Sequence, residues 1–161
     1  MATLTVWKFD EPGGADDAER TLVSLAKQNL ITIHDAATVS WPAERNRPKT
    51  RHIESLAGAG ALSGSFWGLL FGLLFFVPLL GTAVGAAAGA IGGSLTDVGI
   101  DDDFVDAVRA KVTPGTSALF VLSSDAELAR VHDAFAGHRP ELVQSSLSGE
   151  EEGKLREVFA D

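Results

Sequence analysis

The sequence predicts an α+β fold in which two β-α-β halves are separated by a long uncharged insertion. Three observations carry this reading. "ATLTVWKF" (2–9) and "TSALFVLS" (116–123) are rich in β-formers, and the first alternates apolar and polar residues as a half-buried strand does. Each half also holds a segment of helical spacing between two strands. From Ser55 to Thr96 no residue is charged, a run of 42 positions flanked by Glu54 and Asp97. Two β-α-β units in one small domain are the signature of the split β-α-β, ferredoxin-like plait, with two crossover helices on one face of an antiparallel sheet. The chain of 161 residues thus divides into 1–54 (first half of the α/β domain), 55–96 (a transmembrane helical hairpin) and 97–161 (second half).

After the first strand, "GGADDAERTLVSLAKQN" (13–29) places acids in a first turn and Ala18, Leu22, Leu25 and Ala26 at helical spacing. "LITIHDAATVS" (30–40) reads as a strand. "WPAERNRPKTRHIE" (41–54) holds two prolines, so a turn and a short strand around Thr50–Ile53 are expected. Beyond the insertion, "GIDDDFVDAVRAKVTPG" (99–115) starts with acids, ends near Lys111 and is stopped by Pro114-Gly115. "SDAE" (124–127) fits a Ser-x-x-Glu capping box that opens a helix through Leu128, Val131 and Phe135. "PELVQSSLS" (140–148) gives a last strand, and "SGEE" (148–151) repeats the box before a terminal helix with Leu155, Val158 and Phe159.

The insertion divides at "FFVPLLG", because Pro78 cannot donate to a helix ladder and Gly81 accepts the backbone angles of a tight turn. Its arms, 56–77 and 80–96, would be about 33 and about 25 Å long against a hydrocarbon core of about 30 Å. Arm one carries Phe66, Trp67, Leu69, Leu70, Phe71, Leu73, Leu74, Phe75 and Phe76, and its Phe-rich side is expected to meet lipid. Arm two is mostly Gly and Ala. Glycine recurs at every fourth position, at Gly60, Gly64, Gly68 and Gly72 and again at Gly81, Gly85, Gly89 and Gly93. Glycine weakens a helix in water, but in a bilayer strips of small residues let backbones approach and supply packing that lipid cannot. These eight are therefore expected to pack helices within the hairpin or between subunits. The alternative is a buried helical hairpin in a soluble protein, since Gly/Ala-rich helices also pack tightly in water. The length of the run favours the bilayer.

A net charge of −9 argues against a nucleic-acid footprint. The absence of Cys excludes a disulfide framework and a thiolate nucleophile. "MATLTVWKFDEP" has no secretory n-region or h-region. "GAGALSG" (58–64) lacks both a preceding apolar strand and Gly-Lys-Ser/Thr, so a phosphate loop is not indicated. No Ser sits in Gly-x-Ser-x-Gly. His34, His52, His132 and His138 show no metal-ligand spacing. Asp101, Asp102 and Asp103, near Asp97, and Glu150, Glu151 and Glu152 are explained by helix starts. Arg45, Arg47, Lys49 and Arg51, with His52 beside them, stand within about 15 residues of the insertion. Such a cluster suits anionic lipid head groups and orients the hairpin with both termini in the cytoplasm.

The order of these parts resembles the bacterial family catalogued as domain of unknown function 1269. The residues that carry the likeness are "FFVPLLGTAVGAAAGAIGGSLTDVGIDDDFV" (75–105), "PGTSALFVL" (114–122) and "SLSGEEEGKLREVF" (146–159), together with the first strand. The resemblance implies an integral membrane protein with a small α/β domain, and brings no catalytic residue with it. The loop at 41–52 is peculiar to this chain.

The function expected is that of a non-enzymatic membrane protein that forms homo-oligomeric, lipid-associated assemblies through its glycine helices. Lipids and further copies of itself are its partners, and no cofactor, metal, small-molecule substrate or nucleic acid is implied. Two alternatives stand beside it. One is a pore or transport component, which the lack of ionisable groups from Ser55 to Thr96 disfavours. The other is a small-ligand sensor or an enzyme using the open sheet face of the plait.

Overall fold

The computed structural model describes residues 2–45, 48–53, 67, 70, 71, 74, 75, 102–135, 137 and 140–146. Along them run β1 (Ala2–Phe9), α1 (Gly14–Lys27), β2 (Asp35–Trp41), β3 (Lys49–His52), α2 (Asp102–Lys111), β4 (Thr116–Ser124), α3 (Asp125–Phe135) and β5 (Glu141–Ser146). The strands form one sheet in the order β3-β2-β4-β1-β5, and every neighbouring pair is antiparallel. The class is α+β, as the sequence predicts.

Register follows from period-two alternation. Val6 lies between Phe120 of β4 and Val143 of β5, Leu4 pairs with Leu122, and Ala37 and Val39 of β2 pair with Phe120 and Ala118. These side chains share one face, while Trp7, Phe9, Ala36, Leu119 and Val121 share the other. Leu4, Val6, Leu119 and Phe120, the core residues the strands predict, are all at most 1% exposed.

α1 and α3 cover the second of these faces, burying Ala15, Ala18 and Leu22 from α1 with Val131 and Phe135 from α3. Phe135 meets Trp7 edge-on at 5.2 Å. The Trp7 indole N–H, which burial would otherwise leave unpaired, donates to Thr5 Oγ1 at 2.8 Å.

The start of α1 is capped from another strand. Gly13 at the N-cap has no side chain to offer, and the buried Ser117 hydroxyl of β4 accepts from the Ala15 N–H at 2.9 Å and donates to the Glu11 carbonyl at 2.6 Å. This gives the Ser of Pro-Gly-x-Ser-Ala-Leu (114–119) a physical role, and the Gly has one too: Gly115 turns with φ +89°. At its other end α1 closes on Asn29 at φ 58°, with Asn29 N–H bonded to Ala26 O and Leu30 N–H to Leu25 O, the paired bonds of a Schellman stop.

The strand expected from residue 30 begins only at Asp35. Ile31 and Ile33 are spent first on the α1 face, where both are 5% exposed, and the chain joins the sheet afterwards. The terminal helix expected after residue 148 lies outside the described residues.

Candidate functional site

The other sheet face is where the insertion meets the α/β domain. α2 covers the β5 side with Phe104, Val105 and Val108. The rest is covered by Trp67, Leu70, Phe71, Leu74 and Phe75 of arm one, none more than 5% exposed. Their spacing is that of one helical face, with a wider π turn at 74–75.

Ala37 and Ala118 leave room around Phe120, and the aromatic rings fill it. Phe71 meets Phe120 edge-on at 5.1 Å, Trp67 does so at 6.4 Å, and Trp67 and Phe71 stack at 5.9 Å. Such pairs add about 0.5–1.5 kcal/mol each beyond the area they bury. Phe75 meets Trp41 edge-on at 6.0 Å.

A polar cluster fixes the Trp67 end. The Asp35 side chain is fully buried, and its Oδ2 accepts from Trp67 Nε1 at 3.0 Å. Its Oδ1 accepts from the Ala36 N–H at 2.9 Å and lies 2.6 Å from His52 Nε2 of β3. A buried carboxylate is costly unless its lone pairs are met, and three different chain segments meet these. At the far end, Arg109 Nε of α2 donates to the Leu74 carbonyl at 3.2 Å. The described part of arm one, from Trp67 to Phe75, is thus held near both of its ends and packed between.

This corrects the expectation that the Phe-rich side of arm one meets lipid: at Trp67, Phe71 and Phe75 that side meets the sheet. Helical periodicity reports an apolar stripe, but a bilayer and an uncovered sheet face satisfy such a stripe equally well. The sheet face that a small-ligand sensor or enzyme would use is filled by the chain's own side chains. No helix among the described residues is long and apolar enough to cross a membrane. Gly60, Gly64, Gly68, Gly72, Gly81, Gly85, Gly89, Gly93 and Pro78 all lie outside the described residues.

The basic cluster divides. Arg51 faces α1, with Nη2 2.6 Å from Glu19 Oε1 and 3.6 Å from Asp16 Oδ1. Lys49 and Arg45 are exposed, and the Arg45 carbonyl accepts from Trp41 Nε1 at 3.0 Å. Arg47 lies outside the described residues. Lys49 and Arg51 also charge the short edge strand β3, which discourages pairing with another sheet.

Of the histidines, His52 joins Asp35, His34 gives its backbone N–H to Leu122 O at 2.9 Å, His132 is largely exposed, and His138 is not described. No cluster of metal-binding side chains occurs among the described residues. A surface hollow lined by Glu19, Arg20, Val23, Ser24, Lys27 and Gln28 is built from α1 and the residue that follows it. On the opposite edge, Lys111 bonds Glu141 at 2.9 Å, and this bond with the nearby Lys8 charge holds the Glu141 carboxyl below its usual range.

Asp35 and Trp67 were not singled out by the sequence. Their signal was an acid in inward register with Ala37 and Val39, and a Trp opening a helical stripe, "WGLLFGLLF".

A family described as "Protein of unknown function (DUF1269)" matches residues 61–160 of the chain. Neither the curated proteins nor the solved structures contain a match.

Proposed function

The chain belongs to the DUF1269 family, and from that premise we propose that it is a non-enzymatic protein that self-associates through its glycine-repeat helices into lipid-associated assemblies. The observation that carries this reading is the docking of arm one, five of whose large side chains are committed to the sheet. In the sequence, Gly68 and Gly72 each follow a docked side chain, Trp67 and Phe71, by one position. A strip of small residues beside a docked face is suited to close approach of another helix. Supporting the lipid part is the uncharged run itself, which continues for 21 residues past Phe75.

The platform is a ferredoxin-like plait in this reading. In support, β5-β1-β4-β2 has the strand order and antiparallel pairing of a split β-α-β sheet, α1 and α3 cross the same face, and β3 is an added edge. The insertion then supplies what a plain plait lacks, a cover for its second face.

Native mass and lipid content of the full chain purified in mild detergent test this function. The reading expects a homo-oligomer with bound lipid, and smaller particles for Gly85→Leu and Gly89→Leu. A lipid-free monomer, or variants of unchanged mass, would sink it.

A further inference from the structure

We propose that the docking of Trp67–Phe75 on the sheet is autoinhibitory: the segment cannot enter hydrocarbon while docked, and lipid association requires its release, as a strap, from an α/β domain that stays folded. This rests on the lipid-associated reading above and adds how that association is controlled.

The apolar stripe can be buried by either of two hosts. Trp67, Leu70, Phe71, Leu74 and Phe75 are at most 5% exposed on the sheet, and hydrocarbon would bury the same side chains as well. The docked contact, however, is bracketed by charged side chains. Trp67 Nε1 lies 3.0 Å from the buried Asp35 carboxylate, itself 2.6 Å from His52 Nε2, and the Leu74 carbonyl lies 3.2 Å from Arg109 Nε. Carrying the docked segment into a bilayer would take Asp35 and Arg109 with it, which hydrocarbon strongly disfavours. The two hosts are therefore alternatives.

Release leaves the rest of the domain its own supports. Ile53 N–H donates to Ala36 O at 3.0 Å, so the end of β3 stays tied to β2. α2 keeps Phe104, Val105 and Val108 on the sheet and Lys111 2.9 Å from Glu141 of β5. The second core is built from β1, β2, β4, α1 and α3, with Ile31, Ile33 and Ile53. In water, undocking would expose Ala37, Val39 and Phe120, so the docked form is the resting state. Part of that cost is offset because the Asp35 carboxylate, whose burial is unfavourable even when bonded, regains water. At a bilayer the stripe is buried again, and the uncharged run 55–96 brings further apolar surface to the lipid. Affinity for lipid is then reduced by the fraction of molecules in which the strap is released.

The experiment uses the full chain, which has no native Cys, and vesicles of phosphatidylcholine. Ala37→Cys places one thiol beneath arm one, and Ala36→Cys places one beneath α1 on the opposite face; both alanines are fully buried. Reaction with N-ethylmaleimide is followed with and without vesicles. Expected on adding vesicles is an acceleration on the order of tenfold at position 37, because reaction of a buried group tracks the open population, and no change at position 36. Arg109→Met removes the donor to the Leu74 carbonyl without altering the stripe. It should raise vesicle partitioning on the order of tenfold, and speed reaction at position 37 in lipid-free solution by a similar factor, since both report the released fraction. Vesicle binding with position 37 still protected, or with position 36 reacting as fast, overturns the release while leaving lipid association intact. Unchanged partitioning of Arg109→Met does the same. No binding by the parent or by Arg109→Met removes the lipid reading and this inference with it.

Discussion

The indole N–H of Trp67 is bonded to the Asp35 carboxylate across 32 positions of sequence, and the carboxylate is fully buried. Trp67→Phe keeps a six-membered aromatic ring and deletes the donor, so one buried oxygen loses that partner at a cost of about 1–3 kcal/mol, on top of the cost of the smaller ring. Asp35→Asn in the same background should recover part of that loss, because an amide tolerates the missing donor better than a carboxylate does. Denaturant midpoints of the two single variants and the double variant measure this coupling. Strictly additive losses would mean that the bond contributes nothing of its own.

Ser117→Ala removes the hydroxyl that links the Ala15 N–H to the Glu11 carbonyl. The expected loss is about 1–2 kcal/mol, the range of a lost N-cap. It should be local as well as global, with faster hydrogen exchange in the first turn of α1 than in β4. Uniform exchange across both elements would contradict the capping role.

Gly14→Ala places a Cβ 2.5 Å from the Cβ of Phe9, a separation that backbone must yield to relieve. Gly13→Ala, one residue earlier, meets nothing within 4 Å. Thermal melts should therefore separate the neighbours: a clear drop for Gly14→Ala, and little change for Gly13→Ala. Equal melting temperatures would refute the close approach of α1 to β1.

Glu141 gives a pH dependence of known sign. Its folded-state pKa is lowered, by the Lys111 hydrogen bond first and the Lys8 charge second. The unfolded chain therefore binds the proton more readily, so the stabilisation is complete above the ordinary carboxylate range and is lost as pH falls through that range and below it. The group is half-exposed, which keeps the effect small. Glu141→Gln should lower stability slightly near neutral pH, and its difference from the parent should shrink as pH falls below the ordinary carboxylate range. A difference that grows on acidification would reverse the sign and disprove the assignment.

Much of this architecture was legible because local patterns and tertiary demands agree. β1 and β4 alternate, α2 is stopped before Pro114-Gly115, and α3 starts directly after Ser124, so boundaries fall close to where these residues place them. The start of β2 was not legible, since Ile31 and Ile33 look like strand residues yet serve the α1 face before pairing begins. The partner of arm one was hidden for a different reason. Periodicity states that Trp67, Phe71 and Phe75 share a face, and only the three-dimensional juxtaposition with Phe120 and Asp35 states what that face touches. Ser117 is a third case: a cap supplied from 102 residues away leaves no trace in the sequence around α1.

Phe71 gives the sharpest separation between a sheet-docked arm and a lipid-facing one. It lies 5.1 Å from Phe120, 5.9 Å from Trp67 and 6.2 Å from Phe75 by ring centroid, at 4% exposure. Truncating it in a packed core removes the transfer free energy of the ring and leaves a cavity that rigid neighbours fill only in part. Phe71→Ala should therefore destabilise the α/β domain by about 3–5 kcal/mol, as the same change does in other cores. If the ring instead faced lipid, the domain would be indifferent to its loss, since hydrocarbon closes around the smaller side chain at little cost. Phe135→Ala, on the opposite face against Trp7, should cost a similar amount under either arrangement and calibrates the experiment. The measurement is chemical denaturation followed by the near-ultraviolet signal of Trp67, whose stacking on Phe71 should be lost with the substitution. Should Phe71→Ala leave the midpoint where it was while Phe135→Ala lowers it, arm one is not docked on the sheet in solution.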